Sequence, residues 1–250
     1  MIELKSFVGE MEFDRAAYNA TEKELQERLY ILLNECAQKE LSCLILLEGW
    51  AASGKGDALK TMTARLDPRK FIVYTDESGK SDYPFLHPYW TSLPYHGKAQ
   101  FLIGSWYHRA VDRRAKEKDS AEEFDDNIQS ILNFERLLSD ESYIILKFFL
   151  HISKDVQKDR MKKARKDGLS WVIAKADAKQ NENYRDYKRI FEHILNRTDA
   201  SASPWNIIPA ENKYYGKFKI MEIMIKSLEA RLGVDSQKSL EELKRVEEMA

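Results

Sequence analysis

The sequence predicts a three-layer α/β fold, a mainly parallel five-stranded sheet with helices on both faces. Three observations predict it. The runs "LSCLILL" (Leu41–Leu47) and "YIILKFFLHI" (Tyr143–Ile152) are almost wholly apolar and short, as strands covered on both faces are. Such runs alternate with segments of helical character, the order that builds a parallel sheet. The first run leads straight into "GWAASGK" (Gly49–Lys55), which matches G-x-x-x-x-G-K.

The elements follow in order. Residues 14–39 read as a helix because Leu25, Leu29, Leu32 and Leu33 recur at helical spacing. The strand Leu41–Leu47 comes next, then the glycine loop, then a helix from Gly56 to Leu66. "KFIVY" (Lys70–Tyr74) is a second strand. The following stretch, rich in Pro, Gly and aromatic residues, reads as loop with a short helical piece. "QFLIG" (Gln100–Gly104) is a third strand. Ser120, followed by acids, is the N-cap of a long helix. Tyr143–Ile152 is the fourth strand, and "SKDVQKDRMKKARKD" after it is a charged helix. A helix over Tyr184–Asn196, a fifth strand "WNIIPA" (Trp205–Ala210) and a helix from Lys213 to Leu232 complete the domain, residues 1–233. The tail, 234–250, is charged and helical, more linker than core, and the native chain is expected to continue beyond it.

In such a sheet ligands bind beyond the carboxyl ends of the strands. That places the Gly49 loop and the residues after Gly104, Ile152 and Ala210 on one edge. Composition narrows the partners. The 250 residues are 43% hydrophobic and 32% charged, a soluble globular balance. Net charge is −1, so no global basic field recruits nucleic acid. The N-terminus has no signal-peptide pattern, and no apolar run nears the ~20 residues that span a bilayer. Cys36 and Cys43 lack metal-ligand spacing and fit a reduced, cytoplasmic setting.

The loop carries the chemistry. Gly49 and Gly54 let the backbone curl so that N–H groups, with those of Ser53 and Gly56 among them, face one phosphate. The helix that follows adds its positive end, and Lys55 adds a point charge for the outer phosphates. A packing turn would also place glycines here; the strand before and the helix after favour phosphate. The usual hydroxyl after the lysine, a Mg²⁺ ligand, is replaced by Gly56.

Four blocks in order resemble the polyphosphate kinase 2 family, P-loop enzymes that move phosphate between inorganic polyphosphate and nucleotides. They are "EGWAASGKGD", "LIGSWYHR", "KFFLHISKDVQKDRMKKARKD" and "PWNIIPAENKYY", spread over about Leu41–Leu232. The resemblance implies a P-loop kinase-like fold with a helical lid over about 153–183. It also implies inorganic polyphosphate with AMP, ADP or ATP as ligands, and Mg²⁺ if the domain is active. The lid segment Lys154–Lys166 carries seven basic residues against two acids. A solvated helix face would look similar; the resemblance favours a mobile cover whose Lys158, Arg160, Lys162 and Lys163 meet a phosphate chain. Arg109, Asn212 and Lys213 are further candidates at the strand ends.

The departures from the family pattern are specific. The family's two aspartates, used for Mg²⁺ and for the acceptor, fall on Ala51 and Ile103. Arginines are expected at Gly104, Pro88 and Thr91. Glu48, Asp76 and Glu77 are the candidate surrogates. Two-domain members of the family have a degenerate first domain, and "LIGSWYHR" is more like that copy. The resemblance therefore implies a domain that holds polyphosphate or nucleotide without transferring phosphate unaided, beside a second catalytic domain or in a homo-oligomer. The alternatives are a polyphosphate:AMP or ADP phosphotransferase using surrogate acids, and an interaction or oligomerisation module that binds no phosphate.

Overall fold

A computed structural model describes residues 1–9, 12–76, 83–168 and 175–249. Five parallel strands form one sheet in the order β2-β3-β1-β4-β5. They are β1 (Ser42–Gly49), β2 (Phe71–Thr75), β3 (Ala99–Ile103), β4 (Tyr143–His151) and β5 (Trp205–Pro209). Each lies within two residues of its sequence prediction, because the apolar runs that mark them are bounded by polar or glycine-containing segments. The central strands β1 and β4 are buried along their whole length, whereas the edge strand β2 exposes Ile72 and Val73. Burial on both faces is what removes the period-two alternation from the central strands.

One face of the sheet is covered by α1 (Arg15–Gln38), α2 (Lys55–Thr63) and α9 (Lys213–Leu232). The other is covered by α4 (Trp106–Ala115), α5 (Ala121–Asp140) and α8 (Tyr184–Arg197). Leu29 and Leu32 of α1 and Met221, Met224 and Leu228 of α9 belong to one core with Leu44–Leu47 of β1. Fully burying each such side chain contributes about 1.5–3 kcal/mol. Ser120 caps α5 in a full capping box with Glu123, as its position before the acids predicts.

Two sequence readings need correction. The helix α4 has no counterpart among the predicted elements. Its opening "SWYHR" mixes large aromatic and charged residues, and its start signal, Ser105 accepting from the Tyr107 N–H, is a single hydroxyl. The charged tail is not a bare linker within this structure: α10 (Ser236–Met249) packs on α1 and buries Leu240. Arg28 of α1 donates to the Ser236 hydroxyl at 2.9 Å and to Glu229 at 3.0 Å, which fastens the start of α10.

The segment expected to form the lid holds α6 (Lys154–Lys166) and α7 (Lys175–Glu182), and α3 (His87–Thr91) lies on the loop after β2. Glu77 and residues 169–174 of the expected lid lie outside the described residues.

Candidate phosphate-binding site

The glycine loop leaves β1 at the C-terminal edge of the sheet and opens α2, the strand–loop–helix context its motif requires. Gly49 has φ 126°, and a Cβ there would lie 2.2 Å from the Leu150 carbonyl oxygen, so only glycine fits against β4. Gly54, with φ 101°, turns the chain into the helix. Ala52 adopts a left-handed φ of 58° without being glycine, a conformation that its surroundings must hold.

Those surroundings account for every loop carbonyl from Gly49 to Gly54. Lys55 Nζ donates to the carbonyls of Gly49 at 3.0 Å and Trp50 at 2.8 Å. Gln157 Nε2 donates to Ala51 at 3.2 Å. Arg160 Nη1 donates to Ala52 at 3.1 Å and Ser53 at 3.2 Å. Ala58 N–H takes the Gly54 carbonyl at 2.9 Å. The amides divide differently. Trp50 N–H stays on the ladder to Leu150, Ala51 N–H donates to Gln180 Oε1 at 2.8 Å, and Ser53 N–H closes on Trp50. The N–H groups of Gly54, Lys55, Gly56 and Asp57, at the start of α2, are not used by the helix and are open to an anion. Ser53 is buried, and its Oγ has no partner among the described residues. Burial lowers the Lys55 ammonium below the usual lysine range, with the charges of Glu48 and Asp177 opposing it.

Behind the loop, Trp50 is fully buried. Its indole N–H donates to His151 Nδ1 at 2.8 Å, and its ring stacks on Tyr184 at 3.9 Å. Tyr184 in turn donates to the Ile152 carbonyl at 2.8 Å. His151 is thus a neutral core acceptor whose pKa burial pushes down to about 4.

The lid helices rest on the loop through their own polar groups. Gln157 and Gln180 are joined at 2.8 Å, and Asn181 donates to Gln157 Oε1 and to the Lys154 carbonyl, both at 2.9 Å. Arg160 also reaches across to the end of β5, its Nη2 donating to the carbonyls of Ala210 and Glu211 at 2.7 Å each. Lys158, Lys162 and Lys163 are exposed on the outer face of α6. The two groups of lid cations are therefore separated: Arg160 faces protein carbonyls, the lysines face solvent.

The remaining candidates fall in distinct places. Asn212 caps α9, its Oδ1 accepting from the N–H groups of Tyr214 and Tyr215 while its Nδ2 donates to Phe13. Lys213 is exposed with its Nζ 5.2 Å from the Tyr214 ring centre. Glu48 is buried, its Oε1 accepting from both the N–H and the hydroxyl of Ser105 at 2.7 Å, which ties the ends of β1 and β3 together. Asp76 and Arg109 meet beyond β2, with Arg109 Nη1 4.0 Å from Asp76 Oδ1 and its guanidinium 5.9 Å from the Phe85 ring centre. Asp76 Oδ2 and the Tyr89 hydroxyl are buried without partners among the described residues. Burial raises the Asp76 pKa against the pull of Tyr89, Arg109 and His108.

Mg²⁺ on a phosphate chain is held by one or two carboxylates together with phosphate oxygens and water. The positions flanking the loop carry Ala51 and Ile103, and the carboxylate ending β1 has one oxygen spent on Ser105. Among the described residues no three His, Cys, Asp or Glu side chains gather into a metal-holding group. Among the described residues, which do not include Glu77, the donor set does not fit a metal-dependent transfer site. Sequence reasoning missed Gln157 and Gln180. Gln157 is three residues before Arg160 and so on one face with it, a weak signal; Gln180 gives none.

A parallel sheet ordered 2-3-1-4-5, a phosphate loop after its central strand and helices folded over that loop define a P-loop kinase-like phosphotransferase fold. The chain belongs to the polyphosphate kinase 2 family, whose model matches residues 12–235. It is 30% identical over 228 residues to a polyphosphate:AMP phosphotransferase from Pseudomonas syringae pv. tomato, covering 88% of this chain and 45% of that protein. It is 28% identical over 221 residues to an AMP/ADP-polyphosphate phosphotransferase from Meiothermus ruber, covering 86% of this chain and 79% of that one. The fold matches a polyphosphate kinase 2 crystal structure from Pseudomonas aeruginosa PA01 with a TM-score of 0.85 and 24% identity, covering 94% of this chain and 50% of the other. The chain thus spans about half the length of the pseudomonad proteins it matches. Among the described residues no helix is long and apolar enough to cross a membrane.

Proposed function

We propose that this domain holds a phosphate chain, inorganic polyphosphate or the phosphates of AMP, ADP or ATP, and does not transfer phosphate unaided. The observation that carries the reading is the division of the loop. Its carbonyls are all held by donors, and its free N–H groups collect with Lys55 at the start of α2. That arrangement supplies positive potential for an anion. Transfer also needs charge neutralisation at the moving phosphoryl group and a group to position the acceptor. Ala51, Ile103 and Gly104 supply neither, and Glu48 is engaged elsewhere. Losing such a group costs tenfold in rate for each ~1.4 kcal/mol. In a longer protein or an assembly, a second domain of the family would carry the transfer. The buried free thiols Cys36 and Cys43 support a cytoplasmic setting.

One observation favours a second reading, direct polyphosphate:AMP or ADP transfer. Asp76 is a buried strand-end carboxyl with a raised pKa, the property of a group that takes a proton from an acceptor. Calorimetric titration of long-chain polyphosphate into the domain and into Lys55→Ala, with ATP and ADP formation assayed on the same samples, separates the readings. Binding lost in Lys55→Ala with no product supports the holding domain. Turnover abolished by Asp76→Asn establishes transfer. No heat and no product leaves an interaction module.

A further inference from the structure

We infer that Arg160 is a positioning residue that sets the peptide orientation of the phosphate loop, rather than a cation that meets the phosphate chain. The inference rests on the loop being the phosphate site, as proposed above. The guanidinium has five N–H groups. Four carbonyls claim its two terminal nitrogens, those of Ala52 and Ser53 from the loop and those of Ala210 and Glu211 from beyond β5. Only the Nε–H remains, so a phosphate oxygen could meet Arg160 through that single N–H or by displacing a carbonyl, never through the two-pronged face of the guanidinium.

The consequence for the loop follows from the planar trans peptide, in which C=O and the following N–H point in opposite directions. Holding the Ser53 carbonyl toward the lid turns the Gly54 N–H away from it. Holding the Ala52 carbonyl directs the Ser53 N–H back to Trp50, the bond observed. Ala52, with its left-handed φ of 58°, lies between two held peptides, the Ala51 carbonyl bound by Gln157 and the Ala52 carbonyl bound by Arg160. The strands β1 and β5 are not neighbours, since β4 lies between them, so Arg160 is also a bridge between two loops across one strand. Gln157, one turn earlier on α6, adds the Ala51 carbonyl to the set.

A planar fork can satisfy four carbonyls in two loops; an ammonium cannot. Arg160→Lys therefore keeps the charge and loses the positioning. We expect Arg160→Lys to weaken polyphosphate binding by about tenfold or more, close to the effect of Arg160→Ala. The slope of log affinity against log salt should stay at the wild-type value in both variants. Lys158→Ala, which removes an exposed lid charge, should weaken binding only a few-fold and flatten that slope by about 0.7–0.9, the share of one anion contact. Hydrogen exchange on the free proteins gives a second readout that needs no ligand. In Arg160→Lys the amides of 49–56 and 209–212 should exchange faster while those of β1 and β4 stay protected. Wild-type affinity in Arg160→Lys, a slope that falls in Arg160→Ala, or unchanged loop exchange overturns the inference. If the wild-type domain binds no polyphosphate, the holding function fails, and loop exchange alone decides whether Arg160 is the latch.

Discussion

Two charge pairs buried among the described residues, Lys147–Glu135 and Asp76–Arg109, are built on opposite principles. Lys147 of β4 is fully buried and pairs with Glu135 of α5 at 2.9 Å. Its ammonium also donates to the Tyr107 hydroxyl and the Thr198 carbonyl. Glu135 accepts further from Trp106, Tyr107 and Ser203. Every oxygen and proton of that pair has a partner. Asp76 and Arg109, at the strand ends, stand 4.0 Å apart, and one Asp76 oxygen has none among the described residues. The saturated pair cements the layer behind the sheet. The unsaturated one sits on the edge where ligands of such folds bind, with polar capacity unspent. Of these two pairs, the one that holds the fold is fully paired, and the one left partly unpaired lies at the strand ends.

The largest effect expected from this contrast is at Lys147. Lys147→Met keeps most of the side-chain volume but strands the Glu135 carboxylate in the core, and breaking a buried pair from one side costs about 3–5 kcal/mol. A urea-unfolding midpoint reads it. Pairing the change with Glu135→Gln should recover part of the loss, since the stranded charge is then gone. A loss below about 1 kcal/mol for Lys147→Met alone would mean that the cluster is not the cement its geometry indicates.

The anchor of the phosphate loop belongs to the saturated kind, and pH tests it. His151 has its pKa depressed by burial to about 4, from 6.5 when exposed. A depressed folded value means stability present above pH 6.5 and lost as pH falls toward 4. Over that window the unfolded chain binds the proton more tightly than the native one, which removes about 3 kcal/mol. Protonating Nδ1 also ends its acceptance from Trp50, so Trp50 fluorescence should follow the same curve. His151→Gln should flatten the acid limb; an unchanged limb breaks the assignment. Tyr184→Phe is the milder probe of the same anchor. It keeps the stack on Trp50 and removes the bond to Ile152, for about 1 kcal/mol by thermal or urea unfolding.

The sequence revealed the sheet and the loop, because buried strands and a glycine–lysine loop write their constraints in adjacent residues. It did not distinguish the two charge pairs. "SWY", the Lys147 of "KFFLHISK" and the Trp205 of "PWNIIPA" are far apart in the chain, yet Trp106, Tyr107, Lys147 and Trp205 converge on Glu135 and Thr198. Arg160 was legible as a lid cation, but the four carbonyls it holds are backbone groups, on which the residue letters are silent. Ala51 likewise reads as a lost acid, while its N–H is held by Gln180, more than a hundred residues away.

Asp76→Asn should have the smallest effect, and the reason is the unsaturated pair itself. Burial raises the Asp76 pKa, so the folded state holds the proton better than the unfolded chain does. Its contribution is present below the unfolded value and is lost as pH rises through the folded one, opposite in sign to His151. Once ionised, the carboxylate is therefore a burden on the fold that the amide removes. Against that gain, Arg109 loses its only strand-end counter-charge within 4.0 Å among the described residues and keeps the contact with Phe85. The two changes oppose each other, and the net should stay within about 1 kcal/mol by urea unfolding at pH 7. The wild-type and Asp76→Asn curves should then diverge as pH rises above the ordinary aspartate range and the wild-type carboxylate ionises. A loss of several kcal/mol would place Asp76–Arg109 with Lys147–Glu135 as cement and remove the strand-end pair from any account of ligand chemistry.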